Sequence, residues 1–150
     1  MRVSVLLGSA LFIGCGSPPA PLDRPQPDPT IERWYVQGVI ELANVNREAK
    51  TSFQTGKSDA AAELVMRGES LSSRLLSVPR PTLAATEAAS DLDQLYGQMF
   101  FSNRNYGWAR LLYQKNLARW KYWKPQTPDT VRRLKQARSA IAECDRRMSE

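Results

Sequence analysis

The sequence predicts an all-α domain of about five helices, arranged as antiparallel hairpins in a bundle or short solenoid. Apolar residues recur with a 3.6-residue period along most of the 150 residues, and no stretch shows a convincing strand alternation. Short segments rich in proline, glycine or asparagine separate the periodic stretches, as turns between neighbouring helices would. The length suits one domain, and 42% hydrophobic with 24% charged residues is ordinary for a folded protein. Residues 30–150 are therefore predicted to form this domain.

The first two helices are predicted from apolar stripes with recognisable ends. Asp28 offers an N-cap, and Pro29 suits the first helical position. The stripe then continues to a closing glycine, Gly56, and comprises Ile31, Trp34, Tyr35, Gly38, Leu42, Val45, Ala49 and Phe53. Ser58 is predicted to cap the second helix, which stops before Pro79 and carries Ala61, Leu64, Val65, Gly68, Leu71 and Leu75.

The other three helices follow the same logic. Thr82 is predicted to open the third helix, which carries Leu92, Leu95, Tyr96, Met99 and Phe100. Residues 102–105 form a turn, and Asn105 caps the fourth helix, which carries Tyr106, Ala109, Leu112, Tyr113, Leu117 and Trp120. Thr127 opens the fifth helix, whose stripe is Val131, Leu134, Ala137, Ile141, Cys144 and Met148.

A short apolar leader precedes Cys15. Residues 3–13 are too few to span a bilayer, which takes about 20 residues, but they suit a signal-peptide core. Residues 11–15 read Leu-Phe-Ile-Gly-Cys and resemble the bacterial lipobox, in which a small residue precedes an invariant cysteine. The resemblance implies a signal peptide at 1–14, cleavage after Gly14 and acylation of Cys15 with palmitate-like chains. Phe12 departs from the lipobox, where leucine is commoner at this position. Gly16 stands directly after the cysteine in place of aspartate, and by the enterobacterial sorting rule this favours retention in the outer membrane. The alternative is an ordinary secretory signal with an incidental cysteine.

A proline-rich tether follows the lipidated cysteine. Residues 16–29 hold six of the ten prolines, which fix the backbone and remove hydrogen-bond donors. At about 3.1 Å per residue, this segment reaches roughly 40 Å when fully extended. Residues 15–29 are therefore predicted to hold the helical domain away from the membrane.

The segment from Tyr96 to Asn116 has small and aromatic residues at characteristic places, namely Gly97, Phe100, Tyr106, Ala109 and Tyr113. This pattern resembles a tetratricopeptide repeat, a helix pair of about 34 residues in which small residues allow close approach. Tyr96 replaces a leucine and Asn116 replaces an alanine. A weaker copy comprises Ala49, Phe53, Gly56, Ala61, Val65 and Gly68, which places Gly56 and Arg104 at equivalent positions 48 residues apart. The resemblance covers residues 43–121, and the fifth helix would cap the stack. A generic helical hairpin is the alternative.

The sequence offers no catalytic constellation. It has no histidine, which removes the commonest general base and metal ligand, and no cysteine pair or glycine-rich phosphate loop. Asp91 and Asp93 are two residues apart on a helix and point to different sides, so they cannot share a substrate proton. The serines of residues 70–73 lack a histidine, and a dyad of one of them with Lys57 has little support. We therefore expect a non-enzymatic domain without cofactor or metal.

Positive charge is concentrated in the last third of the chain. The whole chain has a formal net charge of +6. Residues 101–150 carry +8, and the remaining residues carry −2. Such asymmetry attracts nucleic acid, anionic lipid or an acidic protein surface, whereas a solvated helical face is the alternative. If Arg132, Arg133 and Arg138 recruit an anionic partner, binding should weaken as the salt concentration rises.

Residues 119–124 interleave basic and aromatic side chains, a pattern that can stack nucleobases. A lipoprotein outside the cytoplasm rarely meets nucleic acid, so we expect no nucleic-acid partner. Trp120 belongs to the core stripe, which leaves Tyr122 and Trp123 as exposed anchors for a protein or membrane interface. Cys144 lies on an apolar stripe, where a buried inert thiol is favoured over a reactive one, and a disulfide to Cys15 is disfavoured.

The repeat resemblance also implies a binding groove, because the first helix of each repeat pair lines the inner surface. The matching positions are Asn46, Lys50 and Phe53 in the weaker copy, and Gln94, Gln98 and Phe101 in the stronger one. The two phenylalanines are either apolar anchors or core residues. The expected function is a lipid-anchored adaptor on the periplasmic face of the outer membrane, which binds another envelope protein. The alternative is a periplasmic binding module for an anionic lipid or glycan.

Overall fold

The computed structural model describes residues 27–150, which form a short 3₁₀ turn at Pro29–Ile31 and five α-helices. The helices are α1 (Arg33–Gln54), α2 (Ser58–Leu76), α3 (Leu83–Ser102), α4 (Tyr106–Tyr122) and α5 (Pro128–Met148). No strand occurs among residues 27–150, and the prediction of an all-α fold with five helices is confirmed. The predicted signal peptide, the acylated Cys15 and most of the tether lie outside the described residues.

The helices pack in chain order as two hairpins and a final helix. Each helix contacts the next one, so α1 pairs with α2 and α3 pairs with α4, and α3 also packs against both α1 and α2. Helix α5 packs on α4 and reaches back to α3 through an ion pair, in which Arg133 Nη1 lies 2.6 Å from Asp91 Oδ1. The odd-numbered helices α1, α3 and α5 consequently lie side by side on one surface of the domain.

The two hairpins share the same turn. Gly56 and Arg104 occupy equivalent positions in it and both have left-handed backbones, with φ of 77° and 61°. In each turn the N–H of this residue donates to the carbonyl three residues back, at 3.1 and 3.0 Å. The following N–H donates to the carbonyl five residues back, at 2.9 Å in both turns. These paired bonds are the Schellman arrangement that ends a helix. The 48-residue offset read from the sequence therefore relates two hairpins with the same local geometry.

Two apolar clusters hold the helices together. The larger one joins α1, α2 and α3, and its largest buried side chains are Tyr35, Leu42, Val65, Leu75 and Leu92. The smaller one joins α4 and α5 through Ala109, Tyr113 and Cys144. Phe100 and Phe101 of α3 pack against this second cluster. The clusters together make α3 the central helix of the domain.

Of the N-caps predicted for α3, α4 and α5, those of α3 and α5 make the expected side-chain hydrogen bond and that of α4 does not. The Thr82 hydroxyl accepts the N–H of Ala85 at 3.2 Å, and the Thr127 hydroxyl accepts that of Thr130 at 3.2 Å, so both predictions are confirmed. Asn105 precedes α4 as predicted, but its side chain makes no capping hydrogen bond. Its backbone N–H takes part in the hairpin turn, where it donates to the Phe100 carbonyl.

Two predicted caps at the start of the domain are wrong in detail. Asp28 Oδ1 accepts the N–H of Thr30 at 2.9 Å, but this cap serves the 3₁₀ turn and α1 begins only at Arg33. Ser58 is the first residue of α2 rather than its cap, because Lys57 completes the preceding turn and occupies the capping position.

Three residues predicted for the apolar stripes are exposed. Ile31 is 77% exposed because it belongs to the 3₁₀ turn ahead of α1. Val131 and Met148 are also exposed. The buried face of α5 instead follows a seven-residue spacing through Thr130, Ala137 and Cys144, which turns Val131 away from α4. A polar residue, Thr130, takes the core position because its hydroxyl is used in the N-terminal capping box.

Candidate functional groove

A groove with a volume of about 640 Å³ crosses the surface formed by α1, α3 and α5. Its apolar lining comes from small or aliphatic side chains of the first two of these helices, namely Val39, Ala43, Ala84, Ala88 and Leu95. Four amide side chains also line it, namely Asn46, Gln94, Gln98 and Gln136. The groove therefore combines an apolar lining with groups that both donate and accept hydrogen bonds.

Four of the residues that the repeat resemblance assigned to binding line this groove. Asn46 and Gln94 are half-buried, whereas Lys50 and Gln98, one turn further along their helices, are exposed. Each pair is related by the 48-residue offset, and α1 lies beside α3. The equivalent positions consequently form two neighbouring rows, one on each helix.

Asn46 links the two rows and leaves one atom without a partner. Its Nδ2 donates to the backbone carbonyl of Ala88 at 2.7 Å, which ties α1 to α3. Its Oδ1 is buried and accepts no hydrogen bond from any described residue. A buried acceptor without a donor is uncommon and costs free energy. Asn46 therefore joins the two rows through one hydrogen bond and has one acceptor that no described residue satisfies.

Phe53 and Phe101 lie elsewhere. Phe53 packs, half-buried, against the larger apolar cluster, and neither residue lines the groove. Phe101 packs against the second cluster, and its ring centroid lies 5.1 Å from that of Tyr106 across the hairpin turn. The structure thus gives the two phenylalanines core contacts, the second of the two roles that the sequence left open.

The charged residues of the groove are held mainly by one arginine of α5. Arg133 forms ion pairs with Asp91 at 2.6 Å, with Asp129 at 3.0 Å and with Glu87 at 4.0 Å. Its guanidinium also lies 5.4 Å from the ring centroid of Trp120. Burial alone would lower the pKa of Arg133, but its hydrogen bonds to the two aspartates raise it. Arg133 therefore joins α5 to α3 as well as lining the groove.

Two carboxylates, those of Glu87 and Asp91, line the groove together with a larger number of basic side chains. Burial raises the pKa of Glu87, and the neighbouring Asp129 and Asp91 act in the same direction against Arg133. Arg47, Lys50 and Arg132 also line the groove, so with Arg133 it has four basic and two acidic residues. The groove therefore carries a positive balance that increases further if Glu87 is protonated as the pH falls.

The basic–aromatic segment at the end of α4 is separate from the groove. Tyr122 is 72% exposed, and Lys121 Nζ lies 5.2 Å from its ring centroid. Trp123 is half-buried, with its ring centroid 6.2 Å from that of the buried Trp120. Of the two aromatic anchors suggested by the sequence, Tyr122 thus presents most of its ring to solvent and Trp123 only part.

Asp93 takes part in a polar network between α3 and α4. Asp93 is 2% exposed, and its carboxylate lies 2.9 Å from Lys115 Nζ and 2.8 Å from Arg119 Nη2. Asn116 Nδ2 donates to the Ser90 carbonyl at 3.0 Å. Asn116, which departs from the repeat pattern, is therefore a buried side chain that bonds its neighbouring helix. Asp91 points to α5 instead, so the two aspartates do face different sides as predicted.

Cys144 is buried in the second cluster, and burial is the largest cause that raises the pKa of its thiol. A raised pKa leaves little thiolate at neutral pH, which agrees with the inert thiol favoured above.

Within residues 27–150, no group of three or more His, Cys, Asp or Glu side chains could hold a metal ion. None of the five described helices is both long and apolar enough to span a bilayer.

Sequence reasoning missed the contribution of α5 to the groove. Gln136 had no signal, because α5 lies outside the repeat resemblance, and Arg132 and Arg133 were marked only for their charge. Their place in the groove depends on how α5 packs against the other helices, and a local sequence pattern does not contain that information.

Comparison of the chain with protein-family models, with curated proteins and with solved structures finds no match in any of the three.

Proposed function

We propose that the chain is a lipid-anchored, non-catalytic adaptor of the bacterial envelope that binds a peptide segment of another envelope protein. The observation that carries this proposal is the groove across α1, α3 and α5, with its four amide side chains. Amides can pair with the N–H and C=O groups of a peptide backbone without selecting for charge. The small apolar lining leaves room for side chains of such a segment. The lipobox-like sequence and the proline-rich tether support anchorage at the outer membrane.

The groove part of the proposal is tested with the pair Gln94→Ala and Gln98→Ala. We expect this pair to weaken capture of the partner, because both amides line the groove. The thermal midpoint should stay nearly unchanged, since neither side chain makes a hydrogen bond to another described residue and Gln98 is exposed. Capture from detergent-solubilised membranes, combined with thermal unfolding of each variant, measures both effects.

A photo-crosslinking residue at position 98 provides the matched comparison. Met66 of α2 is 66% exposed and does not line the groove, so the same residue at position 66 is the control. The adaptor proposal expects one protein partner to crosslink from position 98 and not from 66. If Tyr122→Ala with Trp123→Ala abolishes capture while the glutamine pair has no effect, the site is the basic–aromatic segment and the groove proposal is wrong.

The anchor part of the proposal makes a separate prediction. Cys15→Ala should give a precursor that receives no acyl chains, because the thiol that would be acylated is gone. One acyl chain anchors only marginally, whereas several hold a protein on a bilayer stably. Intact-mass spectrometry of the membrane-bound protein should show a chain that begins at an acylated Cys15. Mature protein with an unmodified cysteine at this position would contradict the anchor.

A binding module for an anionic lipid or glycan is the second candidate, and the positive balance of the groove favours it. The charged side chains of the groove lie at the surface, where dissolved salt screens their attraction to a ligand. The screening length is about 8 Å at physiological ionic strength. Binding of an anionic ligand should therefore weaken as salt rises, with Arg132 and Lys50 as contributors. Copurification of lipid or glycan without a protein would support this candidate over the adaptor.

A further inference from the structure

One end of the domain gathers the start of the described chain and two of the interhelical loops. We call it the proximal end and define it as residues 27–33, the loop 77–82 with Leu83, and residues 121–127. The Thr82 N–H donates to Tyr35 Oη at 2.9 Å, which brings the α2–α3 loop to the start of α1. Hydrogen bonds from Thr30 are the main cause that lowers the pKa of Asp28, and the charge of Arg80 adds to the effect, which places Arg80 near Asp28.

The end of α4 joins the same region through α3 and α5. Trp120 Nε1 donates to Ser90 Oγ at 2.8 Å, in the first half of α3. Gln126 Nε2 donates to the carbonyl of Trp120 at 2.8 Å, which folds the α4–α5 loop over the end of α4. The two hairpin turns, with Lys57 and Arg104, therefore lie at the opposite end of the helices.

The proximal end carries exposed positive charge that the domain does not neutralise. Four cationic residues are exposed there, and no described residue forms a salt bridge with any of them; they are Arg33, Arg80, Lys121 and Lys124. Of the nearby acids, Asp129 is held by arginines of α5, which leaves Asp28 and Glu32. On α5, Arg146 and Arg147 are paired with carboxylates, whereas the exposed Lys135 and Arg138 form no salt bridge to a described residue. The unpaired cations exceed the unpaired acids at this end.

Large apolar and amphipathic side chains accompany these cations. Tyr122 is 72% exposed, Ile31 is 77% exposed and Leu83 is 38% exposed. A tyrosine has an apolar ring with a polar tip, and a lysine has an apolar stem with a charged head, so both suit the boundary between water and lipid. The Lys121–Tyr122 pair thus provides both features at one point of the surface.

We propose that the proximal end docks on a bilayer containing anionic phospholipid and so orients the groove relative to the membrane. Charge complementarity and the position of residue 27 at this end carry the inference, which rests on the proposed anchor for how the chain reaches the membrane. Residues 1–26 precede this end, so an anchor at Cys15 would hold it, rather than the hairpin turns, nearest to the lipid. Docking would replace the separation that the proline-rich tether predicts, because the tether's reach of roughly 40 Å limits the distance from the membrane without fixing it. The anchor raises the local concentration of lipid, and the cations then supply the orientation.

The test compares two pairs of charge-neutralising substitutions in the full chain. Lys121→Gln with Lys124→Gln removes two cations from the proximal end, and Lys57→Gln with Arg104→Gln removes two from the opposite end. Lys57 and Arg104 are likewise exposed and form no salt bridge to a described residue. All variants carry Cys15→Ala, so that no acyl chain contributes and the apolar leader contributes equally to each.

Co-sedimentation with vesicles of phosphatidylglycerol and phosphatidylcholine measures the binding, with vesicles of phosphatidylcholine alone as reference. Each cation near an anionic surface contributes about fivefold, so the proximal pair should weaken binding roughly 20- to 30-fold. The opposite pair should change it by less than about twofold. Tyr122→Ser should weaken binding, whereas Trp108→Ser, which alters an exposed aromatic residue at the other end of α4, should not. Equal effects of the two lysine-containing pairs, or binding indifferent to phosphatidylglycerol, would overturn the proposal.

This experiment separates the docking surface from the anchor. If mass spectrometry finds Cys15 unmodified in cells but the proximal pair still loses more binding than the opposite pair, the anchor is wrong and the docking surface stands. If Cys15 is acylated but the two pairs behave alike, the anchor stands and the docking surface is wrong.

Discussion

Replacement of Asp93 by alanine should lower the free energy of unfolding by about 3 kcal/mol, because it removes one partner from a mostly buried ion pair. The Asp93 carboxylate is almost fully buried and contacts both Lys115 and Arg119. The Arg119 side chain is only 11% exposed, so the substitution would leave its guanidinium with the Asn116 amide as its remaining partner. Lys115 is half-exposed and can return to water, which keeps the loss at the lower end of the range for buried pairs. Urea denaturation measures this loss.

Asp91→Ala is the matched control, since it removes the same group two residues earlier on α3. The Asp91 side chain is 54% exposed, and its partner Arg133 keeps Asp129 at 3.0 Å. The expected loss is below about 1 kcal/mol, as for exposed ion pairs generally. Asp93→Asn keeps the shape and one acceptor, so its loss should lie between the two. Equal losses for the two alanine variants would show that the polar network between α3 and α4 does not stabilise the domain.

The fold could be predicted because the helical period and the turn residues state it locally. Thr82 and Thr127 gave correct starts, since a threonine hydroxyl that accepts a backbone N–H fixes a helix end by itself. Asn105 was placed correctly as the residue before α4, but its side chain makes no capping hydrogen bond. Ser58 was misplaced by one residue, because Lys57 both completes the preceding Schellman turn and occupies the capping position of α2. Such a turn ends the previous helix, and a search for single capping residues does not detect it.

The two rows of the groove could be predicted because the 48-residue offset preserves position along the helices. Two hairpins with the same turn keep equivalent residues at equivalent heights, so Asn46 matches Gln94 and Lys50 matches Gln98. The equivalent pair Phe53 and Phe101 does not line the groove, because both residues lie in the last turn of their helices. There the chain is about to reverse, and the Phe101 ring packs on Tyr106 of the next helix.

The electrostatic character of the groove could not be predicted. The sequence assigns +8 to residues 101–150 but does not say which charges are paired. Arg133 meets Asp91 across 42 positions of the chain, and Arg110 meets Asp145 across 35. Such pairs depend on tertiary packing. The structure therefore divides this block of charge into residues such as Arg133 and Arg110, which join helices, and unpaired cations, of which Lys121 and Lys124 lie at the proximal end.

Gly97→Leu should destabilise the domain by about 1–3 kcal/mol, because α3 and α4 approach each other closely at this glycine. A Cβ at position 97 would lie 2.5 Å from Cε1 and 2.8 Å from Cζ of Tyr113. The Tyr113 ring is 3% exposed and belongs to the second cluster, so it cannot move aside without disturbing Ala109 and Cys144. Burial also raises the pKa of Tyr113 to about 12, so its phenol stays neutral throughout the test. Thermal and urea unfolding measure the change.

The alanine variants separate overpacking from helix propensity. Alanine is favoured over glycine in a helix by about 1 kcal/mol, which would partly offset the clash in Gly97→Ala. Gly107→Ala is the control, since a Cβ there meets nothing within 4 Å, and it should leave stability unchanged or slightly raised. In a double-mutant cycle, Tyr113→Leu should relieve much of the clash, so the loss from Gly97→Ala should be smaller in that background. Equal losses with and without Tyr113 would mean that the ring does not limit the approach of α3 and α4.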